Sequence, residues 1–246
     1  MDLLSIVGLL VAGVAVVGGF LIEGGSFPVL WNVSALLIVF GGTFGAAMVQ
    51  SPLSQFSRAM EMMLWVFFPP RTGAQQMVKK IMDWSNIARK EGLLGLETAA
   101  ETEPDTFARK GLQLLVDGND PNVIRRVLQV EISSKSHSDN QAAGIVESMG
   151  RYSVIAGILA AVIGLMQTTH YAQQADALSA GIEAALVALV YGFCFAQFVF
   201  VPFAGKLKYA VSAQAQIHNL LLEGVLSIAE GENPRNIETK LQGFIT

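Results

Sequence analysis

The stretch LLSIVGLLVAGVAVVGGFLI, from Leu3 to Ile22, decides the fold: twenty consecutive residues without a charge. As a helix it is about 30 Å long, the thickness of a bilayer's hydrocarbon core. It lacks the basic leader and small-x-small cleavage site of a signal peptide, so it reads as a retained first span. Working outward, three more charge-free stretches follow, between Glu23 and Arg58, from Tyr152 to Ala175 and from Ala184 to Gly205. The spans read as Leu3–Ile22, Asn32–Gln50, Tyr152–His170 and Gly181–Phe203. Of 246 residues 15% are charged and 52% hydrophobic, with a mean hydropathy of +0.48. A soluble domain carries about 25% charge. Disordered and collagen-like classes are excluded, and 16 Lys+Arg against 20 Asp+Glu leave no basic surplus for a nucleic acid.

The basic residues fix orientation. Twelve lie between Ser51 and Arg151 and four after the last span (Lys206, Lys208, Arg235, Lys240), whereas neither short connector, Glu23–Trp31 or Thr169–Ala180, holds Lys or Arg. The positive-inside rule places both basic segments and both termini in the cytoplasm. Four segments result: a transmembrane hairpin (1–50), a cytoplasmic helical domain (51–151), a second hairpin (152–203) and a cytoplasmic helical tail (204–246). The fold class is an all-α integral membrane protein of four spans, with a large helical insertion between the second and third. The acidic residues outside the two basic segments are Asp2, Glu23, Asp176 and Glu183, which account for the net charge of −4.

Within this frame, Trp31 stands at an interface, and Gly41-Gly42 and Gly45-Ala46-Ala47 allow close helix approach in span two. Phe56–Phe68 reads as an amphipathic helix along the inner surface, ended by Pro69-Pro70. Asp117-Gly118-Asn119-Asp120-Pro121-Asn122 is echoed by Glu230-Gly231-Glu232-Asn233-Pro234-Arg235. Each pairs a helix-ending Gly with a capping side chain and a first-turn Pro.

No phosphate loop, HExxH or GxSxG is present, and His137, His170 and His218 are scattered. Cys194 alone makes neither a disulfide framework nor a CxxC site. Nothing points to an enzyme, a metal or a cofactor. No ionisable residue occupies the middle of a span, so a chain that conducts protons would need a partner's group. Glu183, read at the opening of span four, is either a carboxylate stabilised at a helix start or the entrance of an ion path. Gly157, Ala160, Ala161 and Gly164 share one face of span three, suited to close packing and equally to a smooth wall for a moving helix. Lys90 and Glu97 stand two turns apart and share a face if the helix continues through Gly92 and Gly95.

Four stretches carry a resemblance: Ala-Arg-Lys-Glu-Gly-Leu-Leu-Gly-Leu-Glu (88–97), Gly-Leu-Gln-Leu-Leu-Val-Asp-Gly (111–118), Val-Pro-Phe-Ala-Gly-Lys-Leu-Lys (201–208) and Ile-Ala-Glu-Gly-Glu-Asn-Pro-Arg (228–235). With the four-span layout they resemble the MotA/PomA A-subunits of the bacterial flagellar stator, the MotC variant above all, within the MotA/TolQ/ExbB proton channel group. The resemblance implies an inner-membrane subunit, five copies of which surround two single-span B-subunits whose aspartate carries the ion. It implies torque on the rotor's switch protein through Arg89, Lys90 and Glu97. It also implies channel-lining or coupling roles for Gly157, Ala160, Ala161, Gly164, Tyr191 and Pro202. Two departures stand out. Val154 replaces the family's proline early in span three. Ala161, Ala188 and Leu189 lack the hydroxyls of sodium-driven members, which favours protons over sodium because hard cations need oxygen. Alternative readings are a TolQ/ExbB-like energiser of envelope transport, which has one span before its large inner loop, and a solute transporter subunit, which expects midplane polar groups or broken spans.

Overall fold

The computed structural model describes residues 3–69, 73–169 and 175–244. His170 and Arg71 lie outside them. Every regular element among the described residues is helical. In chain order these are α1 (Leu3–Ile22), α2 (Val33–Gln50), α3 (Leu53–Met63), α4 (Ala74–Glu91), α5 (Glu97–Thr102), α6 (Thr106–Val116), α7 (Pro121–Thr168), α8 (Ala175–Cys194), α9 (Val201–Ala229) and α10 (Pro234–Gln242). The all-α, four-span class holds: four helices are long and apolar enough to cross a membrane.

Two of those helices outrun their apolar stretches. α7 is 48 residues long and α9 continues to Ala229, so no helix ends at 151 or 203. No proline follows Pro121 within α7 or Pro202 within α9, and none of their glycines takes a positive φ, so each helix once nucleated propagates. The chain divides into two compact units: Met1–Pro69 with Asp139–Tyr209, and Pro70–Ser138 with Ala210–Thr246. Both α7 and α9 contribute to each.

In the first unit α1 buries no residue, and its apolar surface (Leu4, Val7, Leu10, Val11, Val14) stands exposed. In lipid such a surface costs nothing, because acyl chains are as apolar as leucine. α2 turns one face inward at four-residue steps, Ala35, Val39, Thr43 and Ala47. The Asn32 side chain caps it by accepting from the Ala35 N–H at 3.0 Å. α3 buries Phe56, Ala59 and Met62, and a short 3-10 turn, Leu64–Val66, ends it.

The second unit is a water-soluble type of core, built on Ile81, Trp84, Leu96, Leu112, Ile124, Leu128, Leu221 and Leu226. The repeated boundary motifs form alike. Gly118 (φ +68°) and Gly231 (φ +72°) terminate α6 and α9, positions where a Cβ would be strained. Each ending has paired bonds, Gly118 N to Leu115 O with Asn119 N to Leu114 O, and Gly231 N to Ile228 O with Glu232 N to Ser227 O. That is the Schellman arrangement. Pro121 and Pro234 then open the next helices, and Asn233 caps α10 through the Arg235 N–H.

Candidate coupling and contact sites

In the first unit the small residues of α7 meet α8. Gly157 faces Gly192 so closely that a Cβ on it would lie 2.9 Å from the Gly192 Cα and 3.0 Å from the Ala188 carbonyl oxygen. Ser153 Oγ donates to the Gly192 carbonyl at 3.0 Å, in a buried position. Ala160 packs with Ala188, Ala35 and Val39, Ala161 is buried, and Gly164 lies over Ala185. The face of span three that the sequence singles out is thus filled from within the chain. Among the α7 side chains left exposed are Ile155, Ile158, Leu159 and Val162. Val154 is half-buried, and so is Cys194, at the end of α8.

Tyr191 does something the sequence did not signal. Its hydroxyl donates to the Leu30 carbonyl and accepts from the Asn32 N–H, so the phenol fastens α8 to the turn between α1 and α2. Pro202 sits one residue into α9, and the preceding turns, Phe195–Phe200, are wound as a π-helix. Proline has no N–H for the carbonyl four residues back and its ring collides with it; a wider turn just before it relieves both.

Glu183 requires a correction. It does not open a helix: α8 begins at Ala175, so Glu183 stands two turns inside. The helix dipole acts within the first turn and gives this carboxylate little. It is exposed, and with Glu23 it lines an otherwise mostly apolar groove of about 770 Å³ with Phe20, Leu30, Leu186 and Val190.

In the second unit α4 stops at Glu91 because Gly92 adopts φ +77°. A 3-10 turn, Leu93–Leu96, follows, and α5 starts at Glu97. Lys90 and Glu97 therefore do not share one helix, which corrects the condition set on their pairing. They flank a corner instead. Arg89, Lys90 and Glu97 are all exposed, and among the described residues none of them enters an ion pair. The corner is tied down behind: Leu96 is fully buried, and Lys80 Nζ holds the buried Glu103 carboxylate at 2.6 Å. Arg109 donates twice to the Glu103 carbonyl, at 2.7 and 3.0 Å.

Of the other histidines, His137 lies on α7 and His218 stacks on Phe107 at 4.4 Å between ring centres. Burial, and then Lys135, push the His218 pKa below its ordinary value, so it is a neutral packed aromatic at neutral pH. Among the described residues no cluster of His, Cys, Asp or Glu is arranged to hold a metal.

Four apolar spans, uncharged at their centres, joined to a helical unit with a free charged corner, define a membrane-embedded transducer. The comparisons give the family. Residues 6–92 match the model of the motility protein A N-terminal region, and 99–219 that of the MotA/TolQ/ExbB proton channel family. Motility protein A of Bacillus subtilis is 32% identical over 246 residues, spanning 100% of this chain and 91% of that one. The chemotaxis protein PomA of Vibrio alginolyticus is 29% identical over 100% of this chain and 96% of its own. Among solved structures, that of C. jejuni MotAB superposes with a TM-score of 0.95 at 27% identity, covering 100% and 96%. The flagellar MotAB stator complex from Bacillus subtilis gives 0.88 at 31%, covering 98% and 95%. The chain belongs to the MotA/TolQ/ExbB proton channel family, on its motility protein A branch. It is a flagellar stator A-subunit, a channel component that generates torque and not an enzyme.

Proposed function

We propose that this subunit works in the bacterial inner membrane, with both termini cytoplasmic, as one of five copies around two single-span B-subunits. An aspartate of the B-subunit carries the ion, and the ring of A-subunits turns to push the rotor's switch protein. The observation that carries the reading is the bare interior of every span: 3–22, 24–57, 152–169 and 184–205 contain no Asp, Glu, Lys, Arg or His. A proton-driven machine needs a titratable group at membrane depth, and here only a partner can bring it. The solved relatives are complexes of an A with a B component, by their own descriptions. One charge falling through 100 mV releases about 2.3 kcal/mol, the work available per proton.

Protons are the ion favoured, because Ala161 and Ala188 are buried and offer no side-chain oxygen to a dehydrated sodium ion. Cells swimming on this stator alone keep their speed when sodium is replaced at constant proton-motive force; arrested swimming would assign sodium.

Arg89, Lys90 and Glu97 are the rotor contact of this reading. They are exposed and have no ion-pair partner among the described residues, which leaves their charges available to another surface. Reversing two of them (Lys90→Glu with Glu97→Lys) turns attraction into repulsion at both ends of the corner. The expected result is loss of most torque with normal membrane levels of the complex. Unaltered torque would remove these residues from the contact.

A further inference from the structure

The groove of about 770 Å³ between α1 and α8 combines two chemistries that one kind of molecule matches. Its carboxylates, Glu23 just past the end of α1 and Glu183 on α8, belong to one end. Val16 and Val190 line it two helical turns further along their helices, about 10 Å deeper. Between these levels Gly19 and Leu186 leave room, and a Cβ on Gly19 would meet no atom within 4 Å. Trp31, in the turn that closes the carboxylate end, is exposed, as an aromatic at headgroup depth is.

Two carboxylates at the mouth of an apolar groove call for a cation, and the chain has none to offer there. Residues 1–57 and 152–205 contain no Lys or Arg, and among the described residues neither Glu23 nor Glu183 enters an ion pair. A second copy of this chain has the same bare ends, so it cannot supply the charge either. A hydrated metal ion would answer the carboxylates and leave the groove unfilled, whereas an apolar helix would do the reverse.

We propose that the groove binds a phospholipid whose headgroup ends in a primary ammonium, as in phosphatidylethanolamine. The ammonium has three N–H donors and no acceptor, enough to bridge both carboxylates. One acyl chain then lies over Gly19 towards Val16 and Val190, where lipid is the surrounding solvent. Because α1 buries no residue, a chain held there adds packing between α1 and α8. The inference concerns the end of the spans opposite the basic segments and is independent of the rotor contact.

The test uses the full chain in complex with its B-subunit, reconstituted in nanodiscs of equal phosphatidylethanolamine and phosphatidylglycerol and then stripped with mild detergent. Retained lipid is counted by native mass spectrometry. Charge-assisted hydrogen bonds to both carboxylates predict about a tenfold preference for the ethanolamine lipid over the glycerol one. Glu23→Gln with Glu183→Gln brings that ratio close to one, and Gly19→Leu, which occupies the groove, lowers the retention of both lipids. Replacing phosphatidylethanolamine by phosphatidylcholine, whose quaternary nitrogen has no N–H, also abolishes the preference. A photoreactive phenylalanine analogue at Leu186 captures phospholipid, a readout that stands even where a substitution impairs assembly. Equal retention of the ethanolamine and glycerol lipids by the unsubstituted complex overturns the proposal. So does a preference that survives the double Gln variant or the choline lipid, or capture at Leu186 of a neighbouring A-subunit, of the B-subunit or of nothing.

Discussion

Arg58→Ala lowers the melting temperature of the purified complex by several degrees, the largest loss expected from removing one surface-reaching side chain. The guanidinium Nε donates to Asp139 Oδ1 at 2.8 Å, its NH1 meets Glu61 at 3.1 Å, and its plane lies 4.9 Å from the centre of the Trp65 ring. Asp139 has only 5% of its side chain exposed. Its bond to Arg58 raises the arginine pKa further, so the guanidinium stays charged at every accessible pH. Truncating Arg58 leaves a buried carboxylate without its cation, and stranding one half of a buried pair costs about 3–5 kcal/mol. Arg58 is partly solvated, which sets the expectation at the lower end, about 3 kcal/mol. Arg58→Lys falls between, since an ammonium reproduces neither the planar fork nor the stacking. The decisive arm is the double variant. Asp139→Asn added to Arg58→Ala restores more than half of the loss, because the penalty lies in the stranded charge. Strictly additive losses would show that the pair is not coupled.

That pair also marks where the sequence stops being informative. Arg58 and Asp139 are 81 residues apart, and nothing in either neighbourhood announces the other. The same holds for Tyr191 with the Leu30–Asn32 turn. What is legible has a local cause. Uncharged runs of span length give the four crossings, and Gly with Asp or Asn and Pro gives the two Schellman endings and helix starts at 118–121 and 231–234. Gly92 is ambiguous in sequence, because a glycine inside a helical pattern either continues it at a modest cost or ends it. Only the burial of Leu96 and the clamp on Glu103, both tertiary, select the positive φ. Glu183 is misplaced by its sequence pattern for a related reason. The first apolar turn of a span is not the first turn of its helix, and α8 starts eight residues earlier in a polar segment. The small-residue face of span three is visible as a pattern that leaves both of its uses open. The structure fills it with Gly192, Ala188 and Ala185, residues whose own small size carries no signal of that partnership.

Substitution where α7 packs against α8 and α2 gives a graded series. Gly164→Ala is tolerated, since the added Cβ stands 3.4 Å from Ala185 Cβ, in ordinary contact. Gly42→Ala meets Ala156 Cβ at 3.2 Å and costs little, because the helices yield by a few tenths of an ångström. Gly192→Ala is severe. Its Cβ would stand 2.7 Å from the Ser153 carbonyl oxygen and 3.0 Å from Gly157 Cα, both backbone atoms that no rotamer change can move. Overpacking of this kind costs about 1–3 kcal/mol, and Gly192→Leu more. Lipid supplies no hydrophobic force to press α7 and α8 back together, so the close backbone approach and the Ser153–Gly192 hydrogen bond are what join them. A wedge at Gly192 weakens both at once. In a strain relying on this stator, Gly192→Leu abolishes swimming and lowers the recovered complex, and Gly192→Ala reduces swimming with a lower melting temperature. Gly164→Ala stays close to the unsubstituted protein in both measurements. The ordering 164, 42, 192 follows from the distances alone, and a series that comes out in another order would mean that α7 is not held at these separations from α8 and α2 in the working motor.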